Sequence, residues 1–511
     1  MASPRSGLIR FGLSNFKAFH YLDDIELRPL TILVGPNNCG KSSILQSIAL
    51  LSQTLASGPF DLPLLFDGNL VRLQSFETIV SAFDTGKPVE YRFFTEDMIS
   101  TALAETAFQL QDLKTTEEEL RQQTEIRLSF AIEGDRVVPS IMVKSWLPDY
   151  ASDNAVLSFD SKDISGLRNI AQQAGKRLLN NSLGVAFASM KVLGVNRARL
   201  FKRTDNEISD EINNSEIDIS GVKFEKFLPS YVVFKLTSDK KKAQEIDIPI
   251  SVFPGVGQPI NFIKDILTTT IEYLGPVRAD PKPFYPIDEN PVLGTRGEGA
   301  IPFLLRHQQD QIEYRPSAIE APRTGSFLDA LNHWLGKLGV TTNLTIDLVP
   351  KFAYTARVPS ISAPEHAVNL SQVGFGVSQL LPVLMMGLKD SKNSLLLYEQ
   401  PEIHLHPRMQ ADLGDFFLSV ALHGKTIILE THSDYLVNRL RRRIAEDQTG
   451  ELSKLVNILF VHPGTPERPG SYVEPLEIGS DGTIVNCPRD FFSESTDEAY
   501  AILRARSSKA H

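Results

Sequence analysis

Cysteine is scarce in this sequence: its 511 residues include two, Cys39 and Cys487. Two cysteines cannot form a disulfide framework, and they lack the CxxC spacing that is typical of zinc sites. The sequence therefore excludes a small disulfide-stabilised domain and favours a reducing compartment. We expect a cytoplasmic protein.

Long apolar runs and an excess of positive charge are also absent. The longest apolar stretches, such as Leu380–Met386, are far shorter than the ~20 residues needed to span a bilayer. The 52 Lys and Arg residues are outnumbered by 62 Asp and Glu residues, which gives a net charge of −10. We therefore expect no membrane partner, and any contact with DNA is restricted to a local patch.

The composition is otherwise that of a globular protein, with 42% hydrophobic and 22% charged residues. Short apolar strands alternate with predicted helices over residues 1–50 and over the last third of the chain. This alternation predicts an α/β fold with a mixed or largely parallel sheet. In the middle, residues 126–146 and 231–253 alternate apolar and polar side chains, which predicts antiparallel hairpins. Stretches with helical spacing, over 102–125 and 164–192, are too short for a long coiled coil.

A glycine-rich motif connects a predicted strand, Thr31–Val34, to a predicted helix that begins at Lys41. The residues Gly35-Pro36-Asn37-Asn38-Cys39-Gly40-Lys41-Ser42 satisfy the P-loop pattern GxxxxGK[ST] in the context that it requires. Such a loop surrounds the β-phosphate of a nucleotide with backbone N–H groups, while its lysine contacts phosphate oxygens and its hydroxyl binds Mg²⁺. We assign nucleotide binding to Gly35, Asn37, Asn38, Cys39, Gly40, Lys41, Ser42 and Ser43, and metal binding also to Ser42.

An acidic residue ends a second predicted strand, Leu395–Glu399. Ligands of open α/β sheets bind at the carboxyl ends of the strands, so we assign Glu399 to the metal as well. A further strand is predicted at Thr426–Leu429, directly before Glu430-Thr431-His432-Ser433. A helix is predicted to begin at Ser378.

Taken in order, these motifs resemble those of the ABC-type ATPases of the RecF, SMC and OLD group. The resemblance rests on the P-loop, on Val373–Gln379, on Glu399–Pro407 and on Glu430–Ser433, and it covers residues 1–80 and 270–440. It implies a P-loop ABC-type ATPase head with ATP and Mg²⁺ as its ligands.

The resemblance also implies roles for residues outside the P-loop. In such ATPases the signature segment of one subunit closes over the ATP of another, so we expect a homodimer or a higher homo-oligomer. The corresponding residues are Gly376, Ser378 and Gln379 for the signature, Lys17 beside the nucleotide, His432 as the sensor of the γ-phosphate and Gln74 as a further metal ligand.

Two departures from the family pattern concern hydrolysis. Gly376-Val377-Ser378-Gln379 stands where relatives have LSGGQ, and Gln400 stands where many relatives have a catalytic glutamate. A glutamine can orient a water molecule but cannot accept its proton. We therefore predict slow hydrolysis, unless Glu402 supplies the missing base. The candidate catalytic residues are Glu399, Gln400, Glu402 and His432.

The motifs divide the chain into four predicted segments. Residues 1–85 and 271–445 form the two parts of the ATPase head. Residues 86–270 form an inserted α+β region, and residues 446–511 form a tail that is available for a partner. The role of the inserted region stays open.

Three functions are compatible with these motifs. The first is that of the PtuA-like ATPase subunits of bacterial antiphage defence, which the chain resembles and in which a separate nuclease or toxin is held in check. The second is a RecF-like clamp that grips DNA through the arginines Arg439, Arg441, Arg442 and Arg443. The third is a scaffold that binds ATP without hydrolysing it. The sequence leaves open whether Arg278 contacts the nucleotide or supports a loop.

Overall fold

The computed structural model describes residues 7–57, 62–100, 119–147, 156–160, 216–238, 241–250, 257–286, 288, 290–341, 343–349, 353–359, 366–373, 375–389, 394–488, 491 and 502. The chain divides into two compact units. The first comprises Met1–Phe16, Leu50–Gly68 and Leu73–Thr268, and the second comprises Lys17–Ala49, Asn69–Arg72 and Thr269–His511. Among the described residues, no helix is long and apolar enough to cross a membrane.

The strands, in chain order, are β1 (Gly7–Phe16), β2 (Phe19–Glu26), β3 (Leu30–Val34), β4 (Val89–Ser100), β5 (Glu119–Glu133), β6 (Arg136–Trp146), β7 (Val156–Asp160), β8 (Glu216–Glu225), β9 (Leu228–Ser238), β10 (Lys241–Pro249), β11 (Ile271–Leu274), β12 (Tyr285–Pro286), β13 (Gln311–Tyr314), β14 (Arg323–Ser326), β15 (Thr345–Val349), β16 (Ala353–Pro359), β17 (Ala367–Asn369), β18 (Leu395–Glu399), β19 (Thr426–Glu430), β20 (Val456–His462) and β21 (Tyr472–Leu476). The α-helices are α1 (Lys41–Ser57), α2 (Phe76–Ile79), α3 (Gly257–Asp265), α4 (Ala300–His307), α5 (Phe327–Lys337), α6 (Phe375–Leu388), α7 (Pro407–Leu422), α8 (Asp434–Glu446) and α9 (Glu451–Leu455). Short 3₁₀ helices cover Ser81–Phe83 and Leu370–Gln372, and a π-helical turn covers Ile266–Thr270.

The first unit is built from antiparallel strands. One sheet contains β1, β4, β5, β6 and β7 side by side, and another contains β10, β9 and β8. The pairings β5–β6 and β9–β10 confirm the hairpins that polar alternation predicts for 126–146 and for 231–249. Residues 251–253 of the second predicted hairpin lie outside the described residues.

The predicted helical stretch 102–125 is wrong over its last part, because β5 already begins at Glu119. There Leu120, Gln122 and Thr124 are buried on one face of the strand. The Thr124 and Ser145 hydroxyls are 2.8 Å apart across the sheet. Buried polar side chains on neighbouring strands thus form hydrogen bonds with each other. The spacing of apolar residues does not reveal such pairs, and the strand was therefore missed. Residues 102–118 and 164–192 lie outside the described residues.

The central sheet of the second unit has the order β11, β18, β19, β3, β20, β21. The five strands from β11 to β20 are parallel to one another, and β21 is antiparallel to β20. The side chains of β3 and β18 are buried over the whole length of each strand, as expected for strands covered on both faces. The predicted α/β fold with a mixed sheet is therefore confirmed.

Aromatic packing fixes the helices that cover this sheet. Trp334 of α5 and Phe416 of α7 are fully buried with ring centroids 5.1 Å apart, and Phe417 contacts Tyr398 of β18 at 5.0 Å. Each edge-to-face pair of this kind adds about 0.5–1.5 kcal/mol to the hydrophobic contribution of its two rings. The end of β18, which carries Glu399, is thus supported by a closely packed aromatic core.

Two element boundaries differ from the predictions. The helix α6 is already formed at Phe375 rather than at Ser378, because Val377 packs against the same core as Leu380 and Leu381. The predicted tail 446–511 contributes β20 and β21 to the central sheet, and the partner contact predicted for it stays a prediction. The other predicted segment boundaries stay predictions.

Candidate nucleotide site

The P-loop joins β3 to α1 and requires glycine at both of its ends. Gly35 has φ +142° and Gly40 has φ +95°, which are conformations that other residues rarely adopt. A Cβ atom on Gly35 would lie 2.4 Å from the Val461 carbonyl oxygen, and one on Gly40 would lie 2.7 Å from the Ala18 Cβ. The backbone here is therefore packed too closely for any side chain, as a loop that wraps a phosphate requires.

Lys41 is the first residue of α1 and is 3% exposed. Its Nζ donates hydrogen bonds to the carbonyl oxygens of Gly35 at 3.0 Å and Pro36 at 2.7 Å. The ammonium group is thus held over the P-loop. Contact of this group with phosphate oxygens stays a prediction of the motif.

Ser42, the predicted metal ligand, donates a hydrogen bond from its hydroxyl to Glu430 Oε2 at 2.6 Å. Glu430 ends β19 and stands opposite Glu399 in the register of β18 and β19. Both carboxylates are 4% exposed, and burial raises the pKa of each, that of Glu399 to about 7. Oxygen ligands of this kind suit Mg²⁺, which is usually bound by one or two carboxylates together with nucleotide phosphates. Ser42, Glu399 and Glu430 therefore fit a magnesium ion that accompanies a nucleotide.

Sequence reasoning missed Glu430, although a signal for it exists. Glu430 ends an apolar strand in the same way as Glu399 does, and it directly precedes Thr431 and His432. Among the described residues, no group of three or more His, Cys, Asp or Glu side chains could hold a metal, so a magnesium ion here would need the Ser42 hydroxyl and the nucleotide as further ligands.

A second set of hydrogen bonds surrounds Glu399. The Tyr273 hydroxyl of β11 donates to Glu399 Oε1 at 2.7 Å, and Lys17 Nζ donates to Gln46 Oε1 at 2.6 Å. Gln46 follows Ser42 by four residues on α1, so the two side chains lie on the same face of the helix. Lys17 is thereby tied to the helix that carries Ser42, and its place beside the nucleotide stays a prediction. Tyr273 and Gln46 were not foreseen from the sequence.

The segment after Glu399 is bonded to the segment after Glu430. The Gln400 N–H donates to the Glu430 carbonyl oxygen at 2.8 Å, and the His432 N–H donates to Glu402 Oε1 at 2.7 Å. Glu402 is 6% exposed, and burial raises its pKa. Partial desolvation and the charge of Lys41 lower the pKa of His432. Glu402 thus positions the loop of the predicted γ-phosphate sensor, and its role as a substitute base stays a prediction.

Three further predicted residues lie on α6, and one lies in the first unit. Ser378 and Gln379 of α6 are buried, with 7% and 5% exposure. Gln74 belongs to the first unit and is exposed, with its N–H bonded to Asp67 Oδ1. The assignments of Gly376, Ser378, Gln379 and Gln74 stay predictions.

The arginines after His432 are engaged within the chain. Arg439 and Arg443 each bond to Asp415 of α7 at 2.7 Å. Arg441 donates to the Gly482 carbonyl oxygen, and Arg442 pairs with Glu446. These contacts stabilise the packing of α8, and Arg442 is 65% exposed. DNA contact through these arginines stays a prediction.

A P-loop joins the parallel strand β3 to a helix, and acidic residues end β19, which lies beside β3, and β18, which is the next strand along. This arrangement defines a nucleotide-binding P-loop ATPase. The chain belongs to the AAA_15 family of AAA ATPase domains, whose family model matches residues 8–280 and 294–437.

Solved structures with a similar chain include three SMC head domains. One is an SMC head bound to the C-terminal winged-helix domain of ScpA, with 12% identity, coverage of 92% of this chain and 98% of that chain, and a TM-score of 0.38. The SMC head domain from Thermotoga maritima has 11% identity, coverage of 92% and 99%, and a TM-score of 0.34. An SMC head with an extended coiled coil, bound to a ScpA domain derived from Pyrococcus furiosus, has 11% identity, coverage of 98% and 100%, and a TM-score of 0.34. We draw nothing about function from similarities at this level. No curated protein sequence matches significantly.

Proposed function

We propose that this ATPase binds ATP with Mg²⁺, hydrolyses it slowly and assembles with further copies of itself through its nucleotide sites. We further propose that its nucleotide state regulates a separate effector, a nuclease, in bacterial antiphage defence. The observation that carries the nucleotide part of the proposal is the hydrogen bond from Ser42 to Glu430, next to Glu399. It brings a hydroxyl and two carboxylates together beside the P-loop lysine.

Slow hydrolysis follows from the chemistry of Gln400. Phosphoryl transfer is accelerated chiefly by positioning and by charge stabilisation, and a glutamine that orients the attacking water is compatible with catalysis. Glu402, the nearby carboxylate, accepts a hydrogen bond from the His432 N–H and is buried. A site that lacks a free base is expected to turn over, but slowly.

Regulation of an effector rests on the resemblance to PtuA-like subunits and not on the chemistry of any residue. The first unit offers antiparallel sheets that carry none of the P-loop, Glu399 or Glu430 residues, and we propose these sheets as the surface for the effector. ATP can shift the equilibrium between an open state and an assembled state only if it binds one of these states more tightly than the other.

Light scattering and phosphate release, measured together on the purified chain, test this proposal. We expect ATP with Mg²⁺ to cause assembly and slow release of phosphate, and we expect neither with Lys41→Ala. Assembly without phosphate release would replace the ATPase by the scaffold that binds ATP without hydrolysis. If neither occurs with wild-type protein, self-assembly through the nucleotide sites is contradicted.

A further inference from the structure

Arg278 follows β11 and is bonded to the backbone of the catalytic segment. It is 3% exposed. Its Nη1 donates to the Gln400 carbonyl oxygen at 2.8 Å and to the Pro276 carbonyl oxygen at 3.2 Å, and its Nη2 donates to the Glu399 carbonyl oxygen at 3.1 Å. The side chain thus supports the loop, which was one of the two roles that the sequence left open.

The segment that Arg278 holds is strained. Gln400 has φ +44°, a left-handed conformation that is unfavourable for residues other than glycine. Such conformations persist only where the surrounding structure determines them, and they are common at catalytic sites. Both backbone polar groups of Gln400 are bonded, since its N–H donates to the Glu430 carbonyl oxygen and its carbonyl oxygen accepts from Arg278.

A guanidinium group can hold the carbonyl oxygens of Glu399 and Gln400 at the same time better than an ammonium group can. The planar fork of arginine presents several N–H donors in a fixed geometry, whereas lysine offers a point charge on a flexible chain. Burial lowers the pKa of Arg278 to about 10, against the attraction of Glu402, so the group stays protonated at neutral pH. It therefore keeps all its donors and also balances the buried negative charges of the site.

We propose that Arg278 is a positioning residue for hydrolysis: by holding the carbonyl groups of Glu399 and Gln400, it keeps the Gln400 side chain in the orientation that the attacking water requires. The inference rests on the proposed ATPase function, and it assigns no contact between Arg278 and the nucleotide. Arg278 acts only through the backbone of the segment that carries Gln400.

The first test measures the backbone directly and does not depend on turnover. Hydrogen exchange is compared between wild type, Arg278→Met and the milder Arg278→Lys. Arg28→Met is the matched control, because Arg28 also donates from Nη1 to two carbonyl oxygens, those of Ser453 and Val456, away from the site. We expect exchange in a peptide covering 399–405 to become about tenfold faster in Arg278→Met, less so in Arg278→Lys, and to be unchanged in Arg28→Met. Unchanged exchange in Arg278→Met, or equal acceleration across all peptides, would overturn the inference.

The second test is a double-mutant cycle with Gln400→Ala. Because a misplacement of about 1 Å can reduce catalysis about a hundredfold, we expect Arg278→Met to lower kcat at least tenfold while the affinity for ATP with Mg²⁺ is retained. On the Gln400→Ala background, Arg278→Met is expected to cause no further loss, since its effect passes through Gln400. An additive loss, or weaker nucleotide binding, would contradict the positioning role. If wild-type protein binds no nucleotide, the proposed function fails, and the exchange result alone decides the role of Arg278.

Discussion

Ser42 on α1 donates a 2.6 Å hydrogen bond to Glu430 at the end of β19, a residue 388 positions away in the sequence. This contact exists because β19 lies directly beside β3, the strand that leads into the P-loop. In the register of the sheet, Glu399 stands next to Glu430 on the following strand. Two strand-end carboxylates thus lie side by side next to the P-loop helix, where we propose that Mg²⁺ binds.

Glu430→Gln is expected to weaken nucleotide binding only when Mg²⁺ is present. Loss of a residue that binds or orients a metal typically lowers metal affinity about 10–100-fold, whereas the P-loop contacts to phosphate are unchanged. Titration with ATP in the presence of Mg²⁺ and in the presence of a chelator checks this. The exposed Glu477→Gln serves as the control. Equal weakening under both conditions would show that Glu430 acts on the loop and not on the metal.

Gln400→Glu is expected to speed hydrolysis at neutral pH, because it introduces a proton acceptor of nearly the same shape. General base catalysis typically contributes about 10²–10⁴-fold, and we expect a gain of at least tenfold in kcat. Phosphate release under single-turnover conditions is the appropriate measurement. A rate that is unchanged or lower would contradict the role we give to position 400.

Gly40→Ala is expected to destabilise the protein and to abolish nucleotide binding. Gly424→Ala is the matched control, because Gly424 has a similar φ of +101° but open space where a Cβ would stand. Both variants carry the strain of a left-handed alanine, about 1 kcal/mol, and only Gly40→Ala adds a clash with Ala18. Thermal unfolding and nucleotide titration separate the two effects. Nucleotide binding by Gly40→Ala would show that the loop adapts.

Asp415→Asn is expected to lower the free energy of unfolding by about 2 kcal/mol at pH 7, since it removes the buried carboxylate that Arg439 and Arg443 share. The two arginines then keep only their more exposed partners, Asp412 and Glu446. Burial alone would raise the pKa of Asp415, but Arg443 and Arg439 outweigh it and hold the pKa below its usual value. The stabilisation is therefore complete above the pKa of the unfolded chain, and it is lost as the pH falls through the folded pKa.

Denaturant unfolding of wild type and Asp415→Asn between pH 7 and pH 2 measures this dependence. The difference between the two proteins is expected to shrink as the pH falls. Glu446→Gln, which removes a 41% exposed partner of Arg443, should change stability much less. A difference that stays constant with pH would contradict the ion-pair explanation.

The features that were predicted correctly are each encoded by one short, continuous run of residues. The P-loop, the buried strand before Glu399 and the strand before Glu430 are each recognisable from a few neighbouring residues. By contrast, the partners of Ser42 and Arg443 depend on which strands and helices become neighbours, and one sequence does not specify that order. The strand at Glu119 was missed for the same reason, because Thr124 is buried against Ser145 of the next strand.

All of these predictions require that ATP with Mg²⁺ binds at the P-loop beside Glu399 and Glu430. Calorimetric titration of the purified chain with ATP and Mg²⁺, with Lys41→Ala measured alongside, decides whether it does. We expect saturable binding of one nucleotide per chain by the wild type and none by Lys41→Ala. Absence of binding by the wild type, or equal binding by Lys41→Ala, would contradict it.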